Sequence, residues 1–151
     1  YPIHPDYQKR LATYRPFGSP IESPAGIQGK ATQFVMILDA LQLRLLEKIR
    51  SDLAGYSVVR STSPLDNRAI WLEIFAGGIH KGNSCQTLLK KLNINCKEVA
   101  GLGNDYNDID FLDICAEAYL VANAPVNLQR HYKLVKSDKE EGFTEFISKV
   151  L

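Results

Sequence analysis

Long apolar runs are missing from this chain: nothing in its 151 residues approaches the roughly 18 consecutive apolar residues that cross a bilayer, so no membrane role is expected. Basic runs are missing too. The longest are pairs such as Lys90-Lys91, and 18 Lys and Arg against 17 Asp and Glu leave a formal charge of +1, which asks for no nucleic-acid partner. Cysteine is sparse. Cys85, Cys96 and Cys115 cannot all pair and show no Cys-x-x-Cys spacing. That excludes a disulfide framework and points to Cys85 and Cys115 as buried thiols in a reducing cytoplasm. Of the three widely separated histidines, His4, His80 and His131, only His80 falls beside other candidate groups. There is no internal repeat, and no charged-then-apolar leader follows Tyr1, a start compatible with an engineered or proteolysed fragment.

What is present is an ordinary globular composition, 45% hydrophobic and 23% charged, enough for one core. Five of the seven prolines fall within residues 1–30, which predicts loop or edge structure there. Residues 33–38 read as a strand. Asp39 then predicts a helix N-cap, with Gln42 completing a capping box and Leu38 and Leu43 forming a hydrophobic staple. Leu41, Leu45, Ile49 and Leu53 would share the buried face of that helix, which stops at Gly55. Strands are expected at 56–61 and 68–75 around a turn at Ser63-Pro64-Leu65-Asp66-Asn67, and Gly77-Gly78 would form a joint. Arg60, Ser61 and Thr62 are placed to face a substrate, although surface strand residues are the commoner explanation.

Beyond the joint the pattern alternates. A helix at about 84–92 carries the stripe Cys85, Leu88, Leu89 and Leu92, and a strand follows at 98–102. The next helix carries Ile109, Phe111, Leu112, Cys115 and Ala116, and a strand at 118–122 turns at Asn123-Ala124-Pro125. A short helix (126–131), a short strand (133–135) and a final helix with Phe143, Phe146, Ile147 and Val150 on one face complete the chain. Strands separated by helices in this way predict a parallel sheet.

Two segments carry chemistry. The first is Gly103-Asn104-Asp105-Tyr106-Asn107-Asp108, placed where a short apolar strand meets a helix. In open α/β sheets ligands bind outside the C-terminal ends of strands. Carboxylates gathered there repel one another unless a cation or proton relieves them, and an oxygen-only donor set suits Mg2+. The plainer alternative is a polar turn that caps the helix. The second segment is His80-Lys81-Gly82-Asn83-Ser84 at a helix start. An ammonium there opposes the helix dipole, and an anion at the same place would reconcile the two.

This order, a Lys-Gly helix start, then a strand, then Gly-Asx-x-x-Asn-Asp-x-x-x-Leu, resembles the C-terminal half of a haloacid dehalogenase (HAD) superfamily phosphatase. The nearest branch is the Cof-type sugar-phosphate phosphatases, and Asn123-Ala124-Pro125 also resembles that branch. The resemblance is close from about Trp71 to the C-terminus and looser from Phe34 to Asn67. It implies an α/β fold: the C-terminal half of a HAD-like Rossmannoid parallel sheet (79–151) plus part of an α/β cap domain with a Pro-rich N-terminal segment (1–78). It implies Lys81 and Asp108 as catalytic, Lys81 and Asn107 as substrate-binding, and Asn104, Asp105 and Asp108 as holding Mg2+. The implied substrate is a small phosphorylated metabolite.

Two departures stand out. The family has Asp directly after the glycine, where this chain has Asn104, with Asp105 one place later. The family nucleophile lies in an Asp-x-Asp-Gly-Thr/Val segment, and these residues contain none. The resemblance therefore implies a fragment, inactive alone, with the strand at 98–102 left as an open edge for the N-terminal half or another chain to cover. The alternatives are a non-enzymatic phosphate-binding or interaction module and the phosphorylation domain of a P-type ATPase. Ile109-Asp110-Phe111-Leu112 does not fit the Ala-rich sequence that the ATPase reading expects after the turn.

Overall fold

The structure is a computed structural model that describes residues 4–21, 23–63, 65 and 69–151. The chain divides into two compact units, Tyr1–Gly77 and Gly78–Leu151.

The first unit is built on an antiparallel sheet. Strands β1 (Phe34–Asp39), β2 (Tyr56–Thr62) and β3 (Ala69–Ala76) lie in the order β1-β3-β2. Helix α2 (Leu43–Asp52) connects β1 to β2, and a small core of Leu38, Leu46, Ile70 and Leu72 fills the unit, with Ile49 and Val58 packed against it. The proline-rich segment holds a surprise. Residues Pro5–Tyr14 form helix α1 rather than loop. Pro5 occupies the first helical position, where the missing N–H costs nothing, and the His4 ring accepts from the Asp6 backbone N–H at 3.1 Å as the N-cap. Neither Pro nor Gly recurs until Pro16, so proline density misled where proline position did not. Asp6 is fully buried and accepts from the Trp71 indole at 2.8 Å, while the Arg10 guanidinium lies 4.6 Å from the Trp71 ring centroid.

The expected cap at Asp39 is also corrected. Asp39 ends β1, paired with Ala69, and α2 begins only at Leu43 with Gln42 as N-cap. Half of the capping box survives, since Gln42 Oε1 accepts from the Asp39 N–H at 3.0 Å. The later start rotates the buried stripe: Leu46 is buried, whereas Leu41 is 96% exposed and Leu45 faces solvent. Of the 63–67 turn, Pro64, Asp66 and Asn67 lie outside the described residues, as does Arg68. Ser63 is buried and its hydroxyl accepts from the Leu65 N–H at 3.0 Å. Ser61, on β2, is buried as well, so it presents nothing to solvent.

The second unit is the parallel sheet that the alternation predicted. Strands β4 (Ala100–Gly103), β5 (Glu117–Val121) and β6 (Lys133–Val135) run in the order β4-β5-β6. Four helices accompany them: α3 (Lys81–Leu92), α4 (Ile109–Leu112), α5 (Val126–Gln129) and α6 (Gly142–Val150). Leu112, Tyr119, Leu120, Val121, Leu128, Val135 and Phe146 are buried in one core, where Tyr119 and Phe146 meet edge to face at 5.4 Å. Three sequence expectations need adjusting. Of the α3 stripe only Leu89 is buried and Cys85 half-buried, while Leu88 and Leu92 are exposed. On α6, Phe143 is exposed. Helix α4 is a single turn, and Cys115 and Ala116 lie beyond it. Cys115 is half-buried, and burial pushes its thiol up to about 11, while Cys96 is exposed. Among the described residues strand β4 pairs with β5 alone and is an edge of the sheet.

Candidate functional site

The site starts from β4, whose C-terminal residue Gly103 leads into the acidic turn. A Cβ at Gly103 would lie 2.8 Å from the Asp108 Cβ and 2.9 Å from Leu112 Cδ1. Glycine therefore lets the turn fold back directly onto the strand end and carry Asp108 with it. Tyr106–Asp108 form a short 3-10 turn with Asp105 as N-cap. The Asp105 carboxylate accepts from the Tyr106 N–H at 2.8 Å and takes part in a reciprocal cap with Asp108.

Asp108 is the centre of the arrangement. It is buried, with Oδ2 accepting from the backbone N–H groups of Asn104 at 2.8 Å and Asp105 at 3.2 Å. Its Oδ1 accepts from Lys81 Nζ at 2.5 Å across 27 residues of sequence. A buried carboxylate is costly unless paired and hydrogen-bonded, and here both oxygens are used. Lys81 is the first residue of α3, so the cation that opposes the helix dipole finds its counter-charge in Asp108. Its side chain remains 52% exposed, which leaves donors of the ammonium free for a further anion.

The neighbouring residues register the two segments against each other. His80 is the N-cap residue of α3, and its Nδ1 lies 3.1 Å from Asp110 Oδ2, an ion-pair distance without the alignment of a hydrogen bond. A Cβ at Gly82 would collide with the Asp110 backbone carbonyl, so the first turn of α3 packs against α4 at backbone contact. Three consecutive residues, His80, Lys81 and Gly82, thus all meet the 108–110 segment. The sequence placed His80 beside other candidate groups, but its pairing with Asp110 had no local signal because the two lie on different elements.

The remaining predicted residues separate by orientation. Asn104 is exposed at the rim. Asp105 is buried and its carboxylate is engaged by its own turn. Asn107 Oδ1 is buried and has no hydrogen-bond partner. Asn123 clamps a neighbouring loop, donating to Asp138 Oδ1 at 2.7 Å and accepting from the Asp138 N–H at 3.3 Å. Among the described residues no three His, Cys, Asp or Glu side chains gather as a metal site. The oxygen donors present, Asn104 at the rim and the unpartnered Asn107 oxygen, fit Mg2+ only as part of a shared site. That is how Mg2+ is often held, through one or two protein ligands with waters and phosphate oxygens completing the octahedron.

A parallel α/β sheet whose first strand ends in an acidic turn, closed by a lysine from a helix start, defines the class. The chain belongs to the haloacid dehalogenase-like hydrolases, whose family model matches residues 7–147. The resemblance to the Cof-type branch stands with that match, and the match begins far earlier than Trp71, inside α1. A putative phosphatase of Streptococcus pyogenes is 27% identical over 95 residues, covering 62% of this chain and 33% of its own length. Among solved structures, a Streptococcus mutans protein superposes with a TM-score of 0.74 at 22% identity, covering 94% of this chain and 54% of its own. A HAD subclass IIB sugar phosphatase superposes with a TM-score of 0.64 at 14% identity, covering 78% and 42%. The chain spans about a third of the length of the curated relatives it matches. No helix among the described residues is long and apolar enough to cross a membrane.

Proposed function

We propose that this chain is the portion of a Mg2+-dependent phosphatase that supplies the lysine and the acidic turn. The enzyme would hydrolyse small phosphate esters, such as sugar phosphates, through a phosphoaspartyl intermediate. Its nucleophile would lie on chain outside these 151 residues. The observation that carries the reading is the Lys81–Asp108 pair, in which a buried and fully bonded carboxylate at the end of a parallel strand holds the ammonium of a half-exposed lysine. The family membership, the phosphatase name of the Streptococcus pyogenes relative and the sugar-phosphatase neighbour all support it.

The chemistry follows from charge. Phosphate and an attacking carboxylate repel, so the barrier falls when positive charge and donors gather around the transferring group. Lys81 supplies one such charge, worth roughly 4 kcal/mol at about 4 Å and an effective dielectric near 20. Asp108 keeps the ammonium from swinging into solvent. Asn107 would donate its amide N–H to a phosphate oxygen. Asn104 would offer an oxygen to Mg2+, which when bound neutralises charge between nucleophile and phosphate. Strand β4 has a free edge, which the N-terminal half of the same protein or another chain would cover. The half-buried thiols agree with a reducing, cytoplasmic setting.

The test compares the 151-residue chain with the full-length protein on an aryl phosphate with Mg2+. The full-length protein should turn over at rates of about 1 per second or more, typical of enzymes, and the chain alone should not. A full-length protein that binds inorganic phosphate yet hydrolyses no ester would overturn the enzymatic reading and leave a phosphate-binding module.

A further inference from the structure

We propose that Tyr106 is a positioning residue for this site, holding Asn107 and Asp108 through the hydrogen bond its hydroxyl donates to Asn127; the proposal rests on the phosphatase reading above. Tyr106 opens the 3-10 turn and directly precedes the two residues in question. Its ring is half-buried against the larger core, and its hydroxyl donates to Asn127 Oδ1 at 2.8 Å. Asn127 lies on α5, which follows β5, while Tyr106 follows β4. The bond therefore ties together the loops that leave two adjacent parallel strands, at the strand ends where the site is built.

Two observations show that the turn needs such a tie. Beyond its own cap and the Lys81–Asp108 pair the segment has little regular structure to lean on, because the helix after it, α4, is only 4 residues long. Asn107 Oδ1 is buried without a hydrogen-bond partner, a cost that a freely moving turn would relieve by rotating the amide into water. A side chain packed on one side and bonded across to the next loop on the other prevents that relaxation. The functional gain is orientation. Charge and hydrogen-bond stabilisation of a transferring phosphoryl group depends on donors standing in place before the reaction, and a displacement of about 1 Å can cost on the order of a hundredfold in rate.

Tyr106→Phe removes the hydroxyl and keeps the ring, so it probes the bond and not the packing. In the full-length protein kcat on an aryl phosphate should fall about tenfold, with KM changed by less than about twofold. Asn127→Ala should give a similar fall, and the double variant should be no worse than either single one, as expected for two residues that act through one bond. In the 151-residue chain, Tyr106→Phe should shift the Asn107 side-chain amide resonances and leave those of β6 in place. Unchanged kcat in Tyr106→Phe, a double variant whose losses multiply, or an unmoved Asn107 resonance would each overturn the proposal. Should the unmodified full-length protein hydrolyse nothing, the phosphatase reading fails, and the Asn107 resonance alone then decides the positioning role.

Discussion

Asp6 in the first unit and Asp108 in the second are both buried aspartates, and the two are treated differently. Asp6 in the first unit is fully buried and accepts from the Trp71 indole, with Oδ1 left without a well-formed partner. Asp108 in the second is buried with both oxygens used, one on a flexible cation and one on two backbone donors. Asp6 fixes a helix to a sheet through a rigid indole that has nothing else to offer. Asp108 holds an ammonium that keeps spare donors, so its bonding leaves chemistry available. The contrast extends to the cores. The first unit relies on Leu38, Leu46, Ile70 and Leu72, the second on a cluster twice as large, and the better-packed unit is the one that carries the candidate site.

The largest test of this contrast is Lys81→Met in the full-length protein. Loss of the charge should lower kcat by at least about a hundredfold; it also leaves Asp108 buried without its cation, so the comparison is made on protein shown to be folded by circular dichroism. Full activity would reduce the Lys81–Asp108 pair to the same structural status as Asp6–Trp71.

Core truncations compare the units directly. Leu72 and Leu120 are both fully buried, and replacing either with Ala should cost about 3 kcal/mol. If the units unfold separately, hydrogen exchange should rise only in the unit carrying the change. Exchange that rises equally throughout would show one cooperative domain. Gly103→Ala should cost about 2 kcal/mol, because the new methyl meets the Asp108 and Leu112 side chains. It should also lower kcat, since Asp108 must give way; a stable and fully active variant would mean that the close approach is not needed.

The metal expectation is sharpened by the orientation of the two candidate ligands. Asn104 faces solvent and Asp105 is turned into its own turn, so Asn104→Asp should lower the Mg2+ concentration needed for activity about fivefold through added ligand charge. Asp105→Asn should act mainly on stability. The reverse pattern in a Mg2+ titration would make Asp105 the ligand.

The smallest effect concerns acid. Burial works against the charged form of Asp6, but the neighbouring Ser63 and Trp71 side chains, with Lys9 and His4, outweigh it and hold the carboxyl below its ordinary value of 3.8. A depressed folded-state value means stability that is present above 3.8 and lost as pH falls through the lower folded value. Exchange protection in α1 should therefore decline on acidification below pH 3.8 in the native chain and show no such step in Asp6→Asn.

The local patterns were legible wherever one element decides them. Alternating helices and strands after residue 81 announced the parallel sheet, because apolar periodicity in each segment needs no knowledge of the others. The acidic turn and the lysine at a helix start stood out through residue type and spacing, and through them the family. Helix α1 was obscured because proline was counted across 30 residues, whereas its effect depends on whether it sits first in the helix or inside it. The Asp39 cap lost to strand pairing with Ala69, a partner 30 positions away.

Tertiary structure alone decided how charges met. The sequence carried Lys81 and Asp108 as separate candidates 27 residues apart, and the packing of α3 against the strand end made them a pair. Likewise Asn104 and Asp105 are neighbours with similar oxygen chemistry, and only the direction of the turn put one at the rim and the other inside. Residue type and periodicity are properties of a segment, so the chain states them outright. Contact and orientation belong to the folded backbone, where the close approach at Gly103 lets Asp108 lie against the end of β4 and the Tyr106 hydroxyl meets Asn127 on α5.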